Sequence, residues 1–140
     1  MVYRDYLKRQ IDEFGQVLGK LLADLIGLKT QEQTEQGVEI ANQTLKNELD
    51  IGIEEVLSSS EEDLIEKLEE KTVSDNNLIG LFADIIFEMA ESPDMNFEKE
   101  KRIALFRKVL ALYEHVEKRS STFSFEIHDK IGIIKNVLQQ

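Results

Sequence analysis

The chain has 140 residues, of which 41% are hydrophobic and 32% are charged, and its formal net charge is −11. This composition favours a single helical domain, residues 1–140, with its own hydrophobic core, and it argues against intrinsic disorder. The negative charge repels nucleic-acid phosphates and anionic lipids, so we expect neither nucleic acid nor membrane as a partner.

Several functional classes are also disfavoured by what the sequence lacks. It has no cysteine, which excludes disulfides, thiol nucleophiles and cysteine-based zinc sites. It has no signal-peptide pattern and no uncharged run near the ~20 residues of a membrane span, so we expect a cytoplasmic protein. Phosphate-loop, dinucleotide-binding, nucleophile-elbow and calcium-loop motifs are missing. We therefore predict no cofactor and no enzymatic activity.

The first predicted helix, residues 3–28, has the most regular apolar pattern in the chain. Its apolar residues recur at alternating spacings of four and three, which places them on one helix face. The residues of this seam are Leu7, Ile11, Phe14, Leu18, Leu21, Leu25 and Leu28. The apolar face broadens after Val17. We therefore expect the second half of the helix to be buried and the first half to be more exposed.

Small residues form a second row on this helix, at Gly15, Gly19, Ala23 and Gly27. Glycine destabilises a helix interior by ~1 kcal/mol relative to alanine, so the row requires a reason. It indicates close approach by a helix of another subunit, tight packing within one chain, or a helix end at Gly27. The predicted partner surface therefore combines the exposed half of the seam with two glycines. Its residues are Tyr3, Tyr6, Leu7, Ile11, Phe14, Gly15, Leu18 and Gly19.

A second helix is predicted to follow a capping box, Thr30 to Gln33, in which each side chain can reach the other residue's backbone N–H. It should extend to about Asp50 and present a narrow apolar stripe. The apolar residues between Ile53 and Leu57 predict one or two further turns of helix.

Four later helices are predicted over residues 61–71, 76–91, 97–119 and 124–138. Serine and aspartate caps precede the first two, and Asn96 is the predicted cap of the third. Phe123 and Phe125 are expected to pin the start of the last helix. The segment 76–91 is apolar on most of its circumference, which is typical of a central helix. Because the connections are short, we predict an all-α domain of five to six helices in stacked antiparallel hairpins.

Three carboxylates, Asp84, Glu88 and Glu91, follow one another at helical spacing on this central segment. One interpretation is a cation or basic-partner site, or a pair of carboxylates for acid–base catalysis. The other is a solvated edge of a buried helix. Neither His115 nor His128 has the Glu-x-x-His spacing of a di-iron bundle, so no metal site is predicted.

Residues 76–138 form a helix–turn–helix–turn–helix pattern with Gly80, Ala104 and Ala111 at predicted contact positions. This layout resembles tetratricopeptide-type helical hairpins, although the period of about 34 residues that defines that family is missing. The segment from Tyr6 to Ile11 is similar to the Tyr-x-x-Arg-Gln-Ile start of a group of small bacterial helical proteins. These resemblances imply a helical fold and assign no activity.

The sequence thus predicts a non-enzymatic protein–protein interaction module that acts through its first helix, as a homodimer or with another protein. One alternative is an acidic inhibitor or immunity-type protein that masks a basic partner. The other is a carboxylate-based enzyme or metal site around Asp84 and Glu88.

Overall fold

The computed structural model describes residues 2–30, 33–92 and 98–139, with side chains for 5–28, 33, 35–92 and 98–139. All seven elements in these ranges are α-helices, so the predicted all-α class is confirmed. The helices are α1 (Val2–Thr30), α2 (Thr34–Leu49), α3 (Ile53–Ser58), α4 (Glu61–Thr72), α5 (Asn76–Glu91), α6 (Lys99–Arg119) and α7 (Phe125–Leu138).

The predicted count of five to six helices is too low, because the short segment after Gly52 forms a separate helix. Two hydrogen bonds hold the start of α3. The backbone N–H of Gly52 donates to Glu55 Oε1 at 2.9 Å, and that of Ile53 donates to Asn42 Oδ1 at 2.7 Å. The second bond joins α3 to α2. Its two residues are eleven positions apart, so the helical spacing of side chains does not predict it.

Side-chain caps begin three helices near the predicted positions. Ser60 Oγ accepts from the backbone N–H of Asp63 at 3.1 Å, and Asp75 Oδ1 accepts from that of Leu78 at 3.0 Å. Ser124 caps α7 in the same way. Each cap supplies an acceptor to an N–H group that has no partner within the helix.

Thr30, by contrast, does not start the second helix. Its backbone belongs to α1, and α2 begins at Thr34 with Gln33 as an N-cap residue that makes no side-chain capping bond. The predicted capping box was therefore wrong, because an N-cap residue has a non-helical backbone. Residues 31 and 32 of that box, and the predicted cap at Asn96, lie outside the described residues.

Helix α5 lies at the centre of the domain. Nine of its 16 residues are buried. It packs against α1 on one side and α6 on the other, while α2 packs on α1 and α7 packs on α6. Helices α3 and α4 contact α6, and α4 also contacts α5. None of the described helices combines the length and apolar character needed to cross a bilayer.

Helices α5 and α6 run antiparallel. At one end Asn76 Nδ2 donates to the carbonyl of Val116 at 3.0 Å, and at the other Arg102 donates to the carbonyl of Ser92 at 2.9 Å. Helix α1 packs against α5 although three helices separate them in the chain. In a solenoid each repeat contacts only its neighbours, so this long-range contact sets α1 apart from a simple hairpin array.

Candidate functional site

The apolar seam of α1 changes from partly buried to fully buried along the helix. Leu18, Leu21 and Leu25 belong to the core, and Leu18 is 0% exposed. The earlier seam residues, Leu7, Ile11 and Phe14, are only partly covered by the described residues. The seam residues of the first half are therefore less covered than Leu18, Leu21 and Leu25, although the second half also exposes Ile26, and Leu28 is only partly buried.

A groove of about 520 Å³ lies between the first half of α1 and the end of α2. Phe14 and Tyr6 contribute aromatic surface to it, and the Tyr6 side chain is 62% exposed. Charges of both signs line the same groove, with Arg9 and Glu13 contributed by α1 and Glu48 by α2. It can accept an apolar side chain and pair with a charge of either sign.

The eight residues predicted as a partner surface differ in how far they are exposed. Leu18 lies in the core and is unavailable to a partner, which corrects its assignment to that surface. An added Cβ at Gly15 would lie 3.6 Å from Leu78 Cδ2, an ordinary van der Waals contact, and at Gly19 it would meet nothing within 4 Å. Neither glycine marks a close approach of two described helices. The Tyr3 side chain lies outside the described side chains.

The acidic strip of α5 is not a simple solvated edge, because Asp84 joins three helices. Tyr113 Oη of α6 donates to Asp84 Oδ1 at 2.5 Å, and Lys130 Nζ of α7 lies 2.9 Å from the same oxygen. The side chains of Asp84 and Lys130 are 24% and 26% exposed. We refer to Asp84, Tyr113 and Lys130 as the Asp84 network. It was missed from the sequence because the partners lie 29 and 46 residues from Asp84.

The electrostatics of the Asp84 network favour a structural role. Burial raises the pKa of Tyr113 well above its ordinary value, and the negative charges of Asp84, Glu88 and Glu91 raise it further. The phenol therefore stays protonated and donates. Lys130 Nζ also lies 5.6 Å from the centre of the Phe87 ring, within cation–π range. A general acid or base needs a pKa near the working pH, and Tyr113 is shifted away from it.

The raised pKa of Tyr113 predicts how stability responds to alkaline pH. The folded protein keeps the phenol proton, whereas the unfolded chain releases it above the ordinary tyrosine pKa of 10.0. The stabilisation is therefore complete below that pH and is lost as pH rises above it, by up to about 1.4 kcal/mol per pH unit. Tyr113→Phe should remove this part of the pH dependence in urea unfolding measured from about pH 9 to about pH 11. Tyr6→Phe is the exposed control, and equal pH slopes for the wild type and Tyr113→Phe would contradict the expectation.

A groove of about 260 Å³ adjoins the Asp84 network between α5 and α7, and Asn76 and Glu126 are among its lining residues.

No three histidine, aspartate or glutamate side chains of the described ranges converge to hold a metal ion. Each of the two histidines lies beside a different carboxylate. His115 Nε2 lies 2.9 Å from Glu69 Oε1, and His128 Nδ1 lies 3.6 Å from Glu117 Oε2.

The start of α7 carries exposed aromatic side chains. Phe123 and Phe125 are both exposed, Phe125 by 81%, and their rings meet edge to face at 4.9 Å. Both were expected to pin the start of the last helix, but neither is buried, so neither holds it there by packing in the core. Phe125 precedes Ile127 by two residues, which is about 200° around the helix, so the two side chains point to opposite sides. Ile127 packs against the core, and Phe125 faces solvent.

Comparison of the chain with protein-family models, with characterised proteins and with solved structures found no match. A function for this chain is therefore inferred from its own surfaces.

Proposed function

We propose that the protein is a non-enzymatic helical interaction module that pairs with a second copy of itself through the first half of α1. The observation that carries this proposal is the seam, which continues on one helix face but is fully buried only at Leu18, Leu21 and Leu25. A regular seam of this kind is the surface that helix pairs bury. Leu7, Ile11 and Phe14 supply its partly covered section.

Charge favours a second copy over a basic partner at this surface. Residues 5–17 contain three acidic residues, Asp5, Asp12 and Glu13, and two basic ones, Lys8 and Arg9, so their net charge is −1 in a chain of net charge −11. Two copies that meet here bring together nearly neutral surfaces. The like-charge repulsion that opposes contact elsewhere is therefore small.

A closed pair with two-fold symmetry uses the same patch on both copies, so each seam packs against the other. The groove beside Phe14 is a pocket for an aromatic or aliphatic anchor from the second copy, the type of residue that dominates interface energetics. Tyr6, which is largely exposed, is such an anchor.

The remaining helices act as the scaffold in this proposal. The antiparallel α5–α6 pair and the packing of α7 on α6 support a stacked-hairpin arrangement in the second half of the chain. The cysteine-free composition supports a reducing, cytoplasmic setting. A carboxylate-based enzyme or metal site receives less support, because Asp84 Oδ1 is already held by Tyr113 and Lys130.

Analytical ultracentrifugation over a wide micromolar range tests the pairing. The wild type should sediment as a dimer, and Leu7→Glu with Ile11→Glu should give a monomer with unchanged helix content by circular dichroism. Gln16→Glu with Ala23→Glu adds the same charge at exposed positions of α1 and should leave the dimer intact. A wild-type monomer at high micromolar concentration would refute the proposal. If that monomer captured a basic protein in a salt-sensitive manner, the inhibitor alternative would replace it.

A further inference from the structure

The outer side of α7 combines exposed apolar side chains with exposed carboxylates. Phe125 and Ile133 are exposed and eight residues apart, slightly more than two helical turns, so they lie on the same side. Asp129 is exposed and lies between them, one turn from each. We call this surface the α7 face and define it by Phe125, Asp129, Gly132, Ile133 and Asn136.

A shallow groove follows the α7 face along the helix axis. One depression, about 370 Å³, is lined by Phe125, Glu126, His128 and Asp129. A second, about 580 Å³, begins at the same His128 and Asp129 and continues past Gly132 and Ile133 to Lys135, so the carboxylates lie at the Phe125 end and a lysine lies at the other end. An added Cβ at Gly132 would meet nothing within 4 Å, so the groove is open at that point. Its elongated shape matches a partner helix that packs along α7.

The two carboxylates beside Phe125, Glu126 and Asp129, are available to a partner. Neither Glu126 nor Asp129 forms an ion pair with any residue that the structure describes, whereas the nearby Glu117 pairs with His128. Phe123 and Phe125 place exposed aromatic rings beside these carboxylates. An aromatic ring attracts a cation through its face, and the net charge of −11 adds long-range attraction for a basic molecule.

We propose that the α7 face binds a basic amphipathic helix of a partner protein. The apolar side of that helix packs on Phe125 and Ile133, and its lysine or arginine residues pair with Asp129 and Glu126. Residues one and two turns apart lie on the same side of a helix, so Phe125, Asp129 and Ile133 present one stripe to the partner helix. A second copy of this chain is the poorer occupant of the Phe125 end, because that depression is lined by Glu126 and Asp129 without lysine or arginine, so the same ends of two copies would oppose carboxylates of the same sign.

A labelled synthetic peptide built from leucine and lysine at amphipathic helical spacing is the probe, and fluorescence anisotropy measures its binding. The wild type should bind it at low salt and release it as salt rises. Phe125→Ser with Asp129→Asn should weaken binding by about tenfold or more, the usual loss when an aromatic anchor and a charge pair are removed.

The matched control is Ile40→Ser with Glu39→Gln, which removes one exposed apolar side chain and one exposed carboxylate from α2. It should bind the peptide about as tightly as the wild type. Equal losses of affinity in the two double variants would overturn the proposal, because the attraction would then come from net charge alone. Absence of peptide binding by the wild type at low salt would also overturn it. The Leu7→Glu and Ile11→Glu variant should keep the peptide affinity, which separates this surface from the α1 pairing.

Discussion

Asp84→Ala should lower the free energy of unfolding by about 2–3 kcal/mol. The substitution leaves the hydroxyl of Tyr113, a fully buried residue, without its acceptor. It also leaves the ammonium of Lys130 without the carboxylate that lies 2.9 Å away. The expected loss is below that of a fully buried ion pair because Lys130 retains some contact with solvent. Urea unfolding at neutral pH, followed by circular dichroism, measures it.

The components of the Asp84 network can be separated by related variants. Tyr113→Phe removes only the donor and should cost about 1 kcal/mol. Combining it with Asp84→Ala should cost less than the sum of the two single losses, because both variants remove the same hydrogen bond. Glu126→Ala removes an exposed acid from α7 and is the surface control. If Asp84→Ala and Glu126→Ala lowered stability equally, the network would contribute nothing.

The sequence was most informative where the cause of structure is local. The caps at Ser60 and Asp75 act on N–H groups three residues later, so both helix starts were visible in the chain. The central position of α5 was also visible, because a helix that is apolar on most sides must be surrounded. Thr30 shows the limit of this reasoning, since its sequence suits a cap while its backbone continues α1.

The candidate sites depend on contacts that helical periodicity does not contain. Asp84 has the spacing of a surface acid, yet its partners come from α6 and α7, the next two helices in the chain. The spacing of the α1 seam is the same at Leu7 and at Leu18, but only Leu18 is fully buried. Periodicity places residues on one face, whereas the length over which neighbouring helices cover that face is a tertiary property.

Leu18→Ala and Leu7→Ala should have very different effects although both shorten a leucine of the same seam. Leu18 is 0% exposed, so its truncation leaves a cavity in the core and should lower the free energy of unfolding by about 3 kcal/mol at every protein concentration. Leu7 is only partly covered within one chain. Its truncation should lower monomer stability by about 1 kcal/mol or less, as expected when little buried apolar surface is lost.

Protein concentration provides the decisive comparison between these two variants. A dimer is stabilised by mass action, so the wild type should unfold at higher urea as concentration rises. Leu18→Ala leaves the exposed part of the seam unchanged and should keep this dependence, whereas Leu7→Ala should reduce it. Urea midpoints measured at low and high micromolar concentration distinguish the two cases. If the urea midpoint of the wild type did not change with protein concentration, the partly covered section of the seam would not pair. If Leu7→Ala lowered the free energy of unfolding by about 3 kcal/mol at the lower concentration, Leu7 would belong to the core with Leu18.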